Sequence, residues 1–328
     1  MASPSGSVAG SGGGSIVVVW SATDSGAIPT SAPPRLLAPS ERPSPRPRAG
    51  ARTWQRWVGR AFVLGVPLAY LAVLLVGPLL AVVAGAFADG AGAFLGAVTS
   101  RWALHGFAMT ALMSGVAIVF NTVFGVAIAW TICRDRFPGR AALGGLVDLP
   151  FAVSPVVVGL MAMLLFGRQG WFGPALAARG IRVLFAWPAM ALVTTFVSLP
   201  CVVREVTPVL EAIGVNEEEA ARTLGASRAQ TFWRVVLPNI RWGILYGIAL
   251  TAARTLGEFG GVLLVSGGLA GKTETATLVI YRHLEERQDQ AAQAIAVVLA
   301  MASILLLLAM ELLKTKRDRD LDSAGRTR

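Results

Sequence analysis

Apolar residues in this chain come in long blocks separated by short polar connections. A hydrocarbon core about 30 Å thick takes roughly 20 apolar residues as helix. Six blocks reach that length: 61–87, 107–133, 141–166, 184–206, 242–265 and 291–313. The third is the least regular, because Pro150 and Pro155 lie inside it and each removes a backbone donor. The pattern predicts an all-α protein, a polytopic membrane helical bundle of about six transmembrane helices.

Three regions follow from the same pattern. Residues 1–55 are rich in Gly, Ser, Pro and Ala, as in Ser11-Gly12-Gly13-Gly14-Ser15, and hold too little apolar surface to offset chain entropy. They are expected to form a disordered tail. The run Ile16-Val17-Val18-Val19-Trp20 is too short for a signal-peptide core and nothing basic precedes it. Residues 56–314 form the membrane domain, and 315–328 a basic C-terminal tail.

Composition agrees with this reading. Charged residues make up 15% of the chain, hydrophobic residues 54%, and the mean hydropathy is +0.62. A soluble domain carries about 25% charged residues. The net charge of +10 changes meaning once the charges are placed. With the N-terminus in the cytoplasm, inner segments hold 21 of the 29 Lys and Arg, outer segments hold 7, and Arg254 falls within a span. Positive residues collect on the cytoplasmic side, so both termini are expected there. The charge is then a topology signal, and nucleic acid is not an expected partner. Cys133 and Cys201 sit in or at the end of apolar blocks and read as small buried hydrophobes. His105 and His283 lie in or near outer loops with no metal-ligand spacing, and no cofactor is expected.

The longest inner connection, about 208–241, is too well punctuated to be a plain loop. Asn216 is placed to cap a helix whose first turn holds Glu217, Glu218 and Glu219. Gly225 stands where a left-handed residue ends a helix. Ser227 with Gln230 forms a capping box for a second helix carrying Phe232, Trp233, Val235 and Val236. Pro238 is expected to stop it. Ala220 and Ala221 offer a flat face to another protein.

The string Glu219-Ala220-Ala221, three residues, Gly225, nine residues, Val235-x-Leu237-Pro238 resembles the EAA loop of type I ABC importer permeases, with Val235 in place of Ile. Further strings are Asp148-Leu149-Pro150-Phe151-Ala152-Val153-Ser154-Pro155-Val156-Val157, Gln169-Gly170-Trp171-Phe172-Gly173 and Gly257-Glu258-Phe259-Gly260. Over about 56–313 they resemble the CysW-type permease subunits of sulfate/thiosulfate importers.

The resemblance implies the type I ABC importer permease fold in a bacterial inner membrane, with ATP hydrolysed by a separate ABC ATPase dimer. A CysT-type permease partner and a periplasmic sulfate-binding protein complete the machine. It also implies that Glu219, Ala220, Ala221, Gly225, Leu237 and Pro238 couple to the ATPase. CysT-type subunits and molybdate permeases share several of these strings, so another oxyanion stays open.

Inside the membrane, Arg254 is set about 20 Å into its span at helical rise. Charges at that depth usually face a pathway or a partner. Arg254 either attracts a divalent anion in transit or is neutralised by Glu258, four residues on. Asp148 precedes Pro150, and a gate near Ser154 and Pro155 fits the broken helices that line transporter cavities. A kinked packing helix fits equally. Asp148 would repel sulfate and reads as a structural partner for an arginine. The run Ser266-Gly267-Gly268-Leu269-Ala270-Gly271-Lys272-Thr273 nearly spells a phosphate-binding loop but has Ser where Gly is wanted and follows a span. A secondary transporter would leave the EAA loop unexplained, and an intramembrane enzyme would need a nucleophile–base set.

Overall fold

The computed structural model describes the backbone of residues 49–325 and the side chains of residues 62–312. The chain divides inside its first helix into units 1–63 and 64–328. Of the tail expected over 1–55, residues 1–48 lie outside the described residues, and 49–55 are already helical at the start of α1.

In order, the helices are α1 (Ala49–Ala86), α2 (Gly90–Val98), α3 (Arg101–Arg134), α4 (Arg140–Ala152), α5 (Pro155–Phe166), α6 (Gly173–Ala178) and α7 (Trp187–Ile213). Next come α8 (Asn216–Thr223), α9 (Arg228–Thr231), a π-helical turn (Phe232–Val236) and α10 (Leu237–Leu256). The last three are α11 (Gly260–Ser266), α12 (Ala276–Glu285) and α13 (Asp289–Gly325). There is no strand among the described residues. Five helical stretches are long and apolar enough to cross a membrane, and the bent pair α4–α5 would make a sixth.

Helix α7 is the hub of the second unit. Its most apolar window is 67% buried, whereas that of α1 is 0% and that of α13 is 6%. It lies between α3 and α10, and glycines set the spacing. A Cβ on Gly125 of α3 would come within 2.9 Å of the Val202 Cβ, and one on Gly247 of α10 within 2.9 Å of the Val202 Cα. Small residues allow this approach between membrane helices. Hydrogen bonds tie α3 to α7 and α3 to α10. Asn121 Nδ2 donates to Ser198 Oγ at 2.8 Å, and Thr255 Oγ1 to Ser114 Oγ at 2.8 Å. Around them Val126, Val202, Val206 and Ile240 form one apolar cluster, and Met113, Met190, Val193 and Val262 another. The outer surface is as apolar as the core: Val73, Leu75, Leu305 and Leu312 all lie exposed. Such a face belongs against lipid or a partner rather than water.

Several expectations are corrected. The third block is two helices bent by 109° at Val153–Ser154. The fifth ends at Leu256, and 260–266 is a separate helix. The fourth begins at Trp187 and continues past its expected end to Ile213. His283 is buried, with Nδ1 2.7 Å from Gln288 Oε1, and His105 lies in α3 with a buried Nε2. Neighbouring Arg282 pairs with Glu274 at 2.9 Å. Burial opposes its charge, but the hydrogen bonds and charges of Glu274 and Glu286 together outweigh that and raise its pKa.

Candidate functional site

The connection from α7 to α10 folds as two short helices and a π-turn. Helix α8 starts one residue earlier than its expected cap: Val215 holds the cap position, its carbonyl accepting the Glu219 N–H at 2.9 Å, and Asn216 opens the first turn. Gly225 follows the helix at φ +88°, and the Ala226 N–H returns to the Ala221 carbonyl at 3.0 Å. This is the left-handed ending that only glycine adopts without cost. The capping box of α9 forms as expected, with Gln230 N donating to Ser227 Oγ and Ser227 N to Gln230 Oε1.

Pro238 does not stop the second helix. The chain passes through the π-turn, whose Leu237 N–H reaches back to the Phe232 carbonyl, directly into α10. The extra residue relieves the clash between a proline ring and the carbonyl four residues back.

The three glutamates at the start of α8 point to three destinations. Glu217 accepts a hydrogen bond from Asn239 Nδ2 at the start of α10. Glu218 is buried and accepts from Arg134 Nε, at the end of α3, at 2.7 Å. Glu219 is exposed, and its carboxylate makes no hydrogen bond or ion pair among the described residues. Ala220 is exposed beside it, Ala221 is half-buried, Leu224 is 89% exposed and Trp233 65%. Glu219 and Trp233 line one side of the hairpin, and Leu224 stands exposed on another. Leu237 is half-buried and Pro238 exposed at the base of the hairpin. A cavity of about 730 Å³ opens alongside, lined among others by Trp130, Arg134, Glu218, Glu219, Arg222 and Phe232.

The second group of expected residues gathers where α5 and α11 cross. A Cβ on Gly261 would lie 2.9 Å from the Pro155 carbonyl and 2.5 Å from Val193 Cγ1, and one on Gly159 would lie 2.7 Å from the Gly261 carbonyl. The two broken spans therefore meet at their breaks. Glu258 is buried there. Its Oε1 accepts the Gly261 N–H at 3.2 Å, and its Oε2 the Arg254 Nη1–H at 3.1 Å. Arg254 keeps 35% of its side chain exposed. Ser154 holds the cap position of α5, and its side chain makes no capping hydrogen bond. Asp148 belongs elsewhere: it pairs with Arg204 at 2.9 Å, half-exposed, as the partner for an arginine that the sequence called for.

The phosphate-loop lookalike forms a turn in which Thr273 Oγ1 donates to the Ser266 carbonyl at 2.7 Å. The next helix opens three residues later, at Ala276. Among the described residues, no three His, Cys, Asp or Glu converge where a metal could sit. Sequence reasoning missed Arg134. Its partners lie 76 to 84 residues away, and no local pattern marks them.

Residues 121–322 match the model of the family described as binding-protein-dependent transport system inner membrane component. The sulfate transport system permease protein CysW of Synechococcus elongatus is 47% identical over 226 residues, 69% of this chain and 79% of that protein. The sulfate transport system permease protein CysT of Salmonella typhimurium is 41% identical over 237 residues, 72% of this chain and 86% of that protein. Among solved structures, a bacterial ABC transporter involved in the import of the acidic polysaccharide alginate superposes with a TM-score of 0.67 at 19% identity. That superposition covers 81% of this chain and 99% of that one, and it establishes likeness of fold.

Proposed function

We infer the role of this chain from one premise: it belongs to the family of binding-protein-dependent transport system inner membrane components. It is a multi-pass membrane protein, the permease subunit of an ABC importer for sulfate, of the CysW type. The single observation that carries its coupling to an ATPase is the open face of α8 and α9, where Glu219 is free while its two neighbours are tied inward. A free carboxylate on the same side as the exposed Trp233 fits a partner surface, in which buried apolar anchors and a few charged contacts dominate.

In this reading both termini and the α8–α9 hairpin are cytoplasmic, as the distribution of Lys and Arg favours. A separate ABC ATPase dimer grips the hairpin through Glu219, Ala220, Ala221 and Gly225, with Leu237 and Pro238 at its base. A CysT-type permease forms the other half of the pathway, and a periplasmic binding protein delivers sulfate. ATP binding closes the ATPase pair and swings the hairpins, which turns the permeases outward. Hydrolysis returns them. The crossing of the two broken spans borders the path, with Ser154 and Pro155 at the gate. Arg254 supplies a positive charge within the membrane that a divalent oxyanion would seek.

The test is uptake of radiolabelled sulfate in cells lacking their own permease and supplied with this chain, its CysT-type partner, the ATPase and the binding protein. Uptake that appears with the unaltered chain and vanishes with Glu219→Lys is expected. Accumulation of molybdate in place of sulfate would replace the substrate and keep the importer. Uptake indifferent to Glu219 and to the ATPase would overturn the reading.

A further inference from the structure

Helix α8 has eight residues and hangs between two glycines. Gly214 on one side takes φ +71° and Gly225 on the other φ +88°. Both are permissive positions, so the covalent links at its ends are its most pliant points. Its cavity-facing side is not packed either, since an open space of about 730 Å³ lies there. Whatever holds α8 to the membrane helices must be side-chain contact.

Besides the Asn239–Glu217 hydrogen bond, one guanidinium supplies the buried part of it. Arg134 is the last residue of α3. Its Nε donates to Glu218 Oε1 of α8 at 2.7 Å. Its Nη2 donates to the Gly214 carbonyl at 2.6 Å and to the Leu210 carbonyl at 3.1 Å. Those carbonyls belong to the end of α7, where the last turn of a helix lacks partners of its own. Three elements therefore meet on one side chain, and the ion pair is nearly dry, at 11% and 6% exposure. Arg222 approaches the other Glu218 oxygen only at 3.9 Å and is half-exposed. A planar group with several fixed donors can hold a carboxylate and two carbonyls at once, which a lysine ammonium on its flexible stem does less well.

We propose that Arg134 and Glu218 are the joint through which movement of α8 reaches the membrane helices α3 and α7. They act as positioning residues for energy coupling and do not themselves contact ATPase or sulfate. The proposal rests on the importer reading above. Glu219 takes the load from outside, and the Arg134–Glu218 pair, assisted by Glu217 and Asn239, passes it on. Without the pair, α8 would pivot on Gly214 and Gly225 while the membrane helices stayed behind. The ATPase would then cycle without moving solute.

The experiment uses the complete complex in proteoliposomes with the liganded binding protein, and measures sulfate imported per ATP hydrolysed. Arg134→Gln and Glu218→Gln are compared with the unaltered chain. The expected result is a complex that still copurifies with its ATPase and hydrolyses ATP at its basal rate. Sulfate imported per ATP falls about tenfold, within the usual range of a coupling free energy between sites. Arg134→Lys should lie between. An unchanged ratio in both glutamine variants overturns the proposal. So does loss of assembly in both, because the pair would then be structural only. Absence of sulfate uptake by the unaltered complex would instead strike the importer reading, which separates the two failures.

Discussion

Two prolines sit at comparable positions, and the chain treats them in opposite ways. Before Pro155, Val153 and Ser154 adopt extended backbone, with ψ of 133° and 137°, and the chain turns through 109°. Before Pro238, Val236 and Leu237 keep helical angles and the helix runs on. A proline disfavours helical geometry in the residue before it, yet that preference decides only one of the two cases. At Pro155 the new direction is rewarded, because α5 can then lay Gly159 against Gly261 of α11. At Pro238 continuation is rewarded, because Phe232 in the π-turn stacks on Trp130 of α3 with ring centroids 4.5 Å apart. Tertiary contacts choose between break and continuation. One site becomes a corner between membrane segments and the other a shaft from the hairpin into the bilayer.

This contrast can be broken in four ways. The largest effect is expected from Gly261→Leu, which fills the contact holding the corner against Val193 and the Pro155 carbonyl. Overpacking of this kind costs about 3 kcal/mol at the upper end, and thermal unfolding in detergent should show a steep fall in midpoint. An unchanged midpoint would mean that this packing does not hold the corner.

Next comes Arg254→Gln beside the corner. It should lower sulfate uptake about tenfold, or about 1.4 kcal/mol, without loss of assembly. The single change leaves Glu258 buried with no counter-charge, so it is paired with Arg254→Gln/Glu258→Gln. If the arginine serves the anion path, uptake stays low in both. Recovery in the double variant would make the pair purely structural.

A smaller effect is expected from Pro238→Ala on the shaft. The π-turn can then relax to ordinary helix, and one residue of register is a rotation of about 100°. Sulfate imported per ATP should fall by about threefold (about 0.7 kcal/mol) while the unfolding midpoint holds or rises. A lower midpoint with normal coupling would contradict this.

The smallest is Asp148→Asn. Its pair with Arg204 is half-exposed on both sides, and such pairs contribute about 1 kcal/mol or less. The unfolding midpoint should hardly move, and a clear fall would count Asp148 among the groups that hold the corner.

Much of the fold was legible because lipid imposes a simple rule, and runs such as 107–133 and 291–313 obey it. The misreadings have local causes. The fifth block reads through to Val265 because Gly257-Glu258-Phe259-Gly260 is too short to interrupt an apolar average. Yet Glu258 turns back to the Gly261 N–H and starts a new helix. Asn216 was the better cap by chemistry, but the tie from Glu218 to Arg134 places that residue one position inside. Pro238 was misread because the stacking partner of Phe232 lies some hundred residues earlier in the chain. Of the candidate site, the hairpin and its capping box were visible, and so was the pairing of Arg254 with Glu258. The meeting of the two breaks and the whole role of Arg134 were not, since both arise from long-range contact.

The burial of α7 also has a consequence for how the chain is made. This helix is among the least apolar of the spans and the most enclosed, with Thr194 and Ser198 hidden by its neighbours. As it leaves the insertion machinery α3, α4 and α5 are there to pack on it, but α10, which closes the other side, has not yet been synthesised. Residues such as Arg204 are penalised when a segment must enter lipid alone. By contrast α1 and α13 need no shelter. Biogenesis should therefore stall at the middle of the chain, with α7 held at the insertion site until α10 arrives to close the seam.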